Sequence, residues 1–132
     1  MLRSQFEEDL TKLHEQFEKM GQDVNVAINK SVKSFIDHDK NLAKEVIAED
    51  EYINAQEQLL EKKSFEMIAL QQPVTLDLRK IVTIMKASSD LERMGDHAVS
   101  IAKSTIRVKG NKRVLSIEAE VSEMATHVMT MV

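Results

Sequence analysis

Two carboxylates in the last third of the sequence, Glu92 and Asp96, lie four residues apart and break the polar pattern around them. The polar residues of this segment recur at helical spacing and define one solvated edge: Arg79, Thr83, Lys86, Asp90, Arg93, His97, Ser100 and Ser104. At about 100° per residue, Glu92 lies roughly 140° from that edge and Asp96 roughly 100° from it. Because like charges on one helix face repel and a buried unpaired carboxylate is costly, we expect a cation over this pair.

A second file of oxygen-bearing side chains occurs earlier in the sequence. Its members are spaced i, i+4, i+7 and i+11 and lie beside an apolar seam, not opposite it: Asp50, Asn54, Glu57 and Glu61. If two antiparallel neighbouring helices each carry such oxygens beside their seams, the two files form one shared cluster. Carboxylate and amide oxygens suit Mg²⁺, Mn²⁺, Ca²⁺ or iron.

Gly95, which separates the two carboxylates, favours the same interpretation. A glycine inside a helix costs about 1 kcal/mol of helix stability. Close approach of a neighbouring helix, or of an ion, would explain that cost.

Each feature also has a simpler interpretation, which the sequence leaves open. A polar file on one helix is most often a solvated edge, and Glu92 and Asp96 could form buried salt bridges to Arg79, Lys44 or another base. The histidines lack ligand spacing, and the eight methionines fit core packing. The sequence contains no Gly-rich phosphate loop, nucleophile elbow or Glu-x-x-His motif, and we therefore predict that it is not an enzyme.

The elements that must position these residues are long helices. Among 132 residues there are three glycines and one proline, and the apolar residues follow helical periodicity without strand-like alternation. The first stripe ends at 37–39, where short polar side chains favour a turn and can cap the next helix. A second helix is predicted from about Asn41 to Leu70, with a seam at every seventh residue, and ends before Pro73. A third is predicted from about Thr75 to Arg107.

Short connections between three long helices predict an all-α, up-down-up three-helix bundle with an additional partial fourth helix. We expect residues 1–107 to form the three-helix unit and 108–132 to form a linker and the start of a second unit. The last apolar stripe ends in mid-pattern: Ile117, Val121, Met124, Val128 and Met131. We therefore expect either a fragment of a longer protein or an interface completed by this stripe.

Composition bounds the class of partner. The formal net charge is −4, and the basic residues are scattered, which gives no reason to expect nucleic acid. Cysteine is absent, so disulfides and thiolate metal sites are excluded. No segment has the apolar length of a signal peptide core or a membrane span, and a cytoplasmic protein without membrane insertion is the expectation.

Three motifs in this order resemble the PhoU family, cytoplasmic accessory proteins of bacterial phosphate uptake. The segment 68–79 resembles the family's turn between its second and third helices. The segment 90–98 resembles its ExxxD signature, and 50–57 resembles its second-helix motif. The ordered set is specific, whereas the short ExxxD pattern alone would not be.

The resemblance implies two three-helix repeats, each able to hold a multinuclear metal cluster on an acidic motif. Carried over to this chain, the implied ligands are Asp50, Asn54, Glu57, Glu92 and Asp96. The resemblance leaves the metal open among iron, Mg, Mn, Zn and Ca. The chain contains one complete repeat and what resembles the start of the next, so the second acidic site would lie outside it.

The function implied by this resemblance is negative regulation of phosphate uptake and of the phosphate-starvation response. The implied partners are the ATPase of the phosphate ABC transporter and a phosphate-sensing histidine kinase, with the chain in a homodimer. The main alternative is a structural dimerisation or adaptor bundle with salt-bridged acids and no metal. A metal enzyme with oxygen ligands is a weaker one.

Overall fold

The computed structural model describes residues 3–107, which form three long antiparallel helices. Helix α1 spans Arg3–Ile36, α2 spans Lys40–Gln71 and α3 spans Thr75–Arg107. Each helix packs against the other two, and no strand occurs among these residues. The predicted all-α bundle and its two turns are confirmed. The expected partial fourth helix and the division at residue 108 fall outside the described residues.

The core lies along the bundle axis and takes one apolar stripe from each helix. The heptad seam predicted for α2 is buried throughout, at Val46, Ile53, Leu60 and Met67. It packs against stripes of α1 and α3 that include Leu13, Met20, Ile28, Ile81 and Leu91. Burying each large apolar side chain stabilises the fold by about 1.5–3 kcal/mol, so this seam sets which faces of α2 and α3 meet. None of the three helices has an apolar stretch that could cross a bilayer.

The turn between α1 and α2 uses the polar residues that the sequence indicated. Asp39 is the N-cap of α2, and its side chain accepts a hydrogen bond of 3.0 Å from the backbone N–H of Leu42. His38 adopts a left-handed backbone conformation with φ of 54°. The chain thereby reverses within three residues, and α2 begins antiparallel to α1.

The turn between α2 and α3 is built around Pro73. Gln72 ends α2 in the left-handed conformation, with φ of 44°. Pro73 lies outside both helices, and the first hydrogen bond of α3 runs from the N–H of Leu78 to the carbonyl of Val74, at 2.8 Å. Proline therefore terminates α2 here and does not occupy the first position of α3.

The N-cap of α2 provides a test of this turn. Replacing Asp39 with Ala should lower the free energy of unfolding by about 1 kcal/mol, because the N–H of Leu42 loses its acceptor. Urea denaturation followed by circular dichroism measures the effect. Asp37→Ala, in the same turn but not at the N-cap position, is the matched control and should show no such loss. Equal destabilisation by both variants would contradict the assignment of Asp39 as the cap.

Candidate metal centre

Helices α2 and α3 approach closely at Gly95, in the middle of the ExxxD motif. Gly95 is buried, and a methyl group at this position would lie 3.5 Å from Oδ1 of Asp50 and 3.5 Å from Cγ2 of Ile53. Both distances are those of ordinary van der Waals contact. The carboxylate of Asp50 on α2 is thus held directly against the backbone of α3, beside Glu92 and Asp96.

The charges of the two files act on one another across this contact. Partial burial raises the pKa of Glu92, and a hydrogen bond with Asp96 and the negative charges of Asp96, Glu57 and Asp50 raise it further. Carboxylates from α2 and α3 therefore lie near one another along the contact between these helices, which we call the acidic groove. Ligation of a cation by these residues stays a prediction.

Two oxygen atoms in this groove are buried without a hydrogen-bond donor. Asn54 donates from Nδ2 to Oδ2 of Asp50 at 3.3 Å, but Oδ1 of Asp50 and Oδ1 of Asn54 have no partner among the described residues. Burial raises the pKa of Asp50, and so does the charge of Asp96, while the hydrogen bond from Asn54 and the charge of Lys103 lower it. Unpaired buried acceptors are costly, and a cation would satisfy them.

Glu57 continues the acidic groove away from Gly95. Burial raises its pKa, and the charge of Glu61 and a hydrogen bond with that residue raise it further. Glu61 is exposed and belongs to the file identified in the sequence, but not to the implied ligand set. Glu61 therefore acts on the acidic groove through its interaction with Glu57.

The salt-bridge interpretation of these acids finds no support within residues 3–107. Neither Arg79 nor Lys44 pairs with Glu92 or Asp96, and Arg93 pairs with Asp90 on the solvated edge. On the opposite side of α2, by contrast, two acids are paired: Lys30 of α1 forms salt bridges with Glu49 at 3.0 Å and with Glu45 at 3.4 Å.

Three α3 residues near the acidic groove, Asp96, Lys103 and Ser100, have surroundings that the sequence analysis did not predict. Asp96 is exposed, whereas its angle from the polar edge favoured a more apolar environment. Lys103, seven residues later on the same helix face, supplies a nearby positive charge that the sequence interpretation did not include. Ser100 donates from Oγ to the carbonyl of Asp96 at 3.2 Å, so its hydroxyl is engaged with its own helix.

The oxygen atoms of the implied ligands suit a hard cation, but the side chains do not converge on one point. Within the part of the chain that the structure describes, no three acidic or histidine side chains surround a common point as a metal site requires. The five implied ligands nevertheless offer only oxygen atoms, including the two unpartnered buried ones. Their chemistry fits a hard cation, and holding one requires the carboxylates to rotate inward.

The raised carboxyl pKa values predict an acid-stabilised, metal-free protein. Protonation of Asp50, Glu57 and Glu92 is easier in the folded state than in the unfolded chain, so folding takes up protons. The contribution of these groups to stability therefore rises as pH falls through their raised folded-state pKa values toward the unfolded values of about 4, and it is lost in the other direction. Chemical denaturation in chelator at several pH values measures it. The double variant Asp50→Asn, Glu92→Gln should show a flatter profile, and an unchanged profile would contradict the assignment.

Gly95 provides a second test, in which stability and metal loading separate. Gly95→Ala should stabilise the metal-free protein by up to about 1 kcal/mol, because alanine favours a helix and the methyl group fits at 3.5 Å. The same methyl group covers Oδ1 of Asp50 and should lower metal loading. Bound metal after incubation with Mn²⁺ or Fe³⁺ and desalting is the measurement. Gly21→Ala, on α1, is the control that should leave loading unchanged; equal loading of all three proteins would contradict the site.

Comparison with known proteins supports the resemblance seen in the sequence. The PhoU domain family model matches residues 17–105. A PhoU homolog from Clostridium acetobutylicum, a phosphate-specific transport system accessory protein, is 38% identical over 133 aligned residues, covering 100% of this chain and 60% of the relative. The Aquifex aeolicus homolog is 43% identical over 98 residues, covering 74% of this chain and 44% of the relative.

A solved structure supports the same relationship. The crystal structure of the phosphate transport system regulatory protein PhoU from Streptococcus pneumoniae superposes with a TM-score of 0.80 at 31% identity. The match covers 94% of this chain and 61% of that protein. The chain thus spans less than two thirds of the length of each of these relatives. Its matched domain, its similarity to these relatives and its fold together establish that the chain belongs to the PhoU family.

Proposed function

We propose that this chain is part of an accessory protein that represses phosphate uptake and the phosphate-starvation response. The observation that carries the proposal is the groove in which acids of two family motifs, on α2 and α3, act on one another. The relatives' descriptions as phosphate transport accessory proteins supply the biological context.

The acidic groove would hold a metal through both helices. Asp50, Asn54 and Glu57 would contribute oxygens from α2, and Glu92 and Asp96 would contribute them from α3. A bound cation would supply positive charge that cancels the repulsion among these carboxylates. The residues themselves would link α2 to α3 by this means.

The proposed mode of action is protein contact without catalytic turnover. The partners are the ATPase of the phosphate ABC transporter and a phosphate-sensing histidine kinase, contacted from the cytoplasm, and the working form is a homodimer. These assignments rest on the family resemblance. They agree with a groove whose side chains are mainly carboxylates.

A structural adaptor bundle without metal is the second candidate. It is favoured by the open arrangement of the acids, since no three of them within residues 3–107 surround a common point. Metal analysis separates the two. An adaptor bundle binds no metal after loading, whereas the regulator proposed above does.

The regulatory role is tested in the organism. Deleting the gene should raise expression of phosphate-starvation genes in phosphate-replete medium. Complementing the deletion with a gene that carries Glu92→Ala and Asp96→Ala should fail to repress these genes. The variant protein should stay folded, because replacing mutually repelling acids does not weaken the core. Reporter expression and bound metal are the measurements.

The matched control replaces two exposed acids of α1, which lie outside the groove, by Glu15→Ala and Glu18→Ala. This control should repress normally and load metal normally. Unchanged reporter expression after deletion would contradict the regulatory role. Normal metal loading of the Glu92→Ala, Asp96→Ala variant would contradict the assigned ligands.

A further inference from the structure

An apolar groove adjoins the acidic one between α2 and α3. Phe65 of α2 is 55% exposed and Val82 of α3 is 47% exposed, although both are large apolar side chains. They line an open groove of about 370 Å³ together with Ile68 and Met85. Solvent-facing apolar side chains gathered on two neighbouring helices are typical of a surface that another molecule covers.

The apolar groove and the acidic groove adjoin at Glu57. Glu57 and Glu61 line the apolar part, and the charge of Glu57 also acts on Glu92 in the acidic part. Val82 and Asp96 are fourteen residues apart on α3, or about 21 Å at 1.5 Å per residue. This face of α3 is therefore apolar at one end and acidic at the other, over a length of about four helical turns.

We propose that this groove, defined by Phe65, Val82, Glu57, Glu61 and Glu92, is the docking site for a cationic amphipathic helix of a partner protein. Apolar side chains at one end of that helix would cover Phe65 and Val82. Arginine or lysine side chains in its following turns would pair with the carboxylates. An amphipathic helix in a groove is a recurrent mode of recognition, and arginine pairs with carboxylates through two parallel hydrogen bonds.

Charge complementarity decides the chemistry of this occupant. The carboxylates of the groove are not paired with a Lys, Arg or His of residues 3–107. Lys86 and Lys103 are the cations near its two parts, and both are exposed. The acids outnumber them, so an occupant with acidic side chains would be repelled and one with basic side chains attracted.

The exposed apolar residues between α1 and α2 provide an internal comparison. Tyr52 there contacts Lys19, whose Nζ lies 5.1 Å from the ring centroid, and Lys19 pairs with Asp23 at 3.2 Å. Gln56 donates to the same carboxylate at 2.9 Å. The lysine beside Leu59, which is 44% exposed, is thus already paired with an acid. Leu59 is a matched control for Phe65.

The docking site is tested with synthetic peptides and the folded chain in chelator. The probe is an amphipathic helical peptide of about 15 residues, with leucine and phenylalanine in its first two turns and arginine in the next two. A second peptide has the same composition with the two residue classes interleaved along the helix. Fluorescence anisotropy measures the dissociation constant of each.

The first peptide should bind about tenfold more tightly than the interleaved one, because only it matches both ends of the groove. Phe65→Ser should weaken its binding about tenfold, and Glu61→Gln should weaken it and reduce its salt dependence. Leu59→Ser should bind as the unchanged protein does. Loss of binding on replacing every arginine of the peptide with glutamate supports the charge assignment.

Equal binding of the two peptides, or undiminished binding by Phe65→Ser, would overturn the proposal. Self-association that Phe65→Ser abolishes in sedimentation would also overturn it, since the groove would then be occupied by a second copy of this chain. The docking site rests on the proposed function only in that a regulator acting by contact needs such a surface. Because the test uses neither metal nor phosphate-responsive expression, its failure is distinguishable from failure of the regulatory role.

Discussion

Core packing between α2 and α3 holds carboxylates that repel one another side by side, and the rest of the structure depends on this constraint. The heptad seam through Ile53 fixes the faces of α2 and α3 that meet, and at Gly95 the backbone of α3 lies against the carboxylate of Asp50. Burying the seam contributes about 1.5–3 kcal/mol for each large side chain. Repulsion between like charges in partly exposed positions is worth a few tenths of a kcal/mol for a pair on one helix. Packing therefore prevails, and the acids stay adjacent.

This balance explains why the two sides of α2 differ. Toward α1, Glu49 is matched by Lys30 at 3.0 Å, and the raised pKa of that lysine reflects the hydrogen bond and the charge of the acid. Toward α3, burial and neighbouring acids raise the pKa values of Asp50 and Glu57. Because the acids on one side of α2 are paired and those on the other are not, the side facing α3 carries uncompensated negative charge. That face is where a cationic ligand gains the most.

The sequence predicted the architecture well because periodicity is a local property. The α2 seam, the Asp39 cap and the end of α2 before Pro73 each follow from side-chain types within a few positions. The sequence also led us to expect that the two acidic files meet, since each lies beside a seam, and their joint ligation of a cation stays a prediction. The exposure of Asp96, the influence of Lys103 and the apolar groove at Phe65 and Val82 did not follow. They depend on how far each helix is rotated about its axis, which periodicity leaves uncertain by tens of degrees.

The adjacency of the two grooves at Glu57 links the metal and the partner helix proposed above. Both would bind through Glu57 and Glu92. A carboxylate that is neutralised by a cation no longer attracts an arginine. Two ligands that use the same groups lower each other's affinity by equal factors. The apolar part, at Phe65 and Val82, is left unchanged by a metal, so it would retain hydrophobic attraction when the charge attraction is gone. In such a surface, metal occupancy sets the strength of docking while the apolar part sets its position.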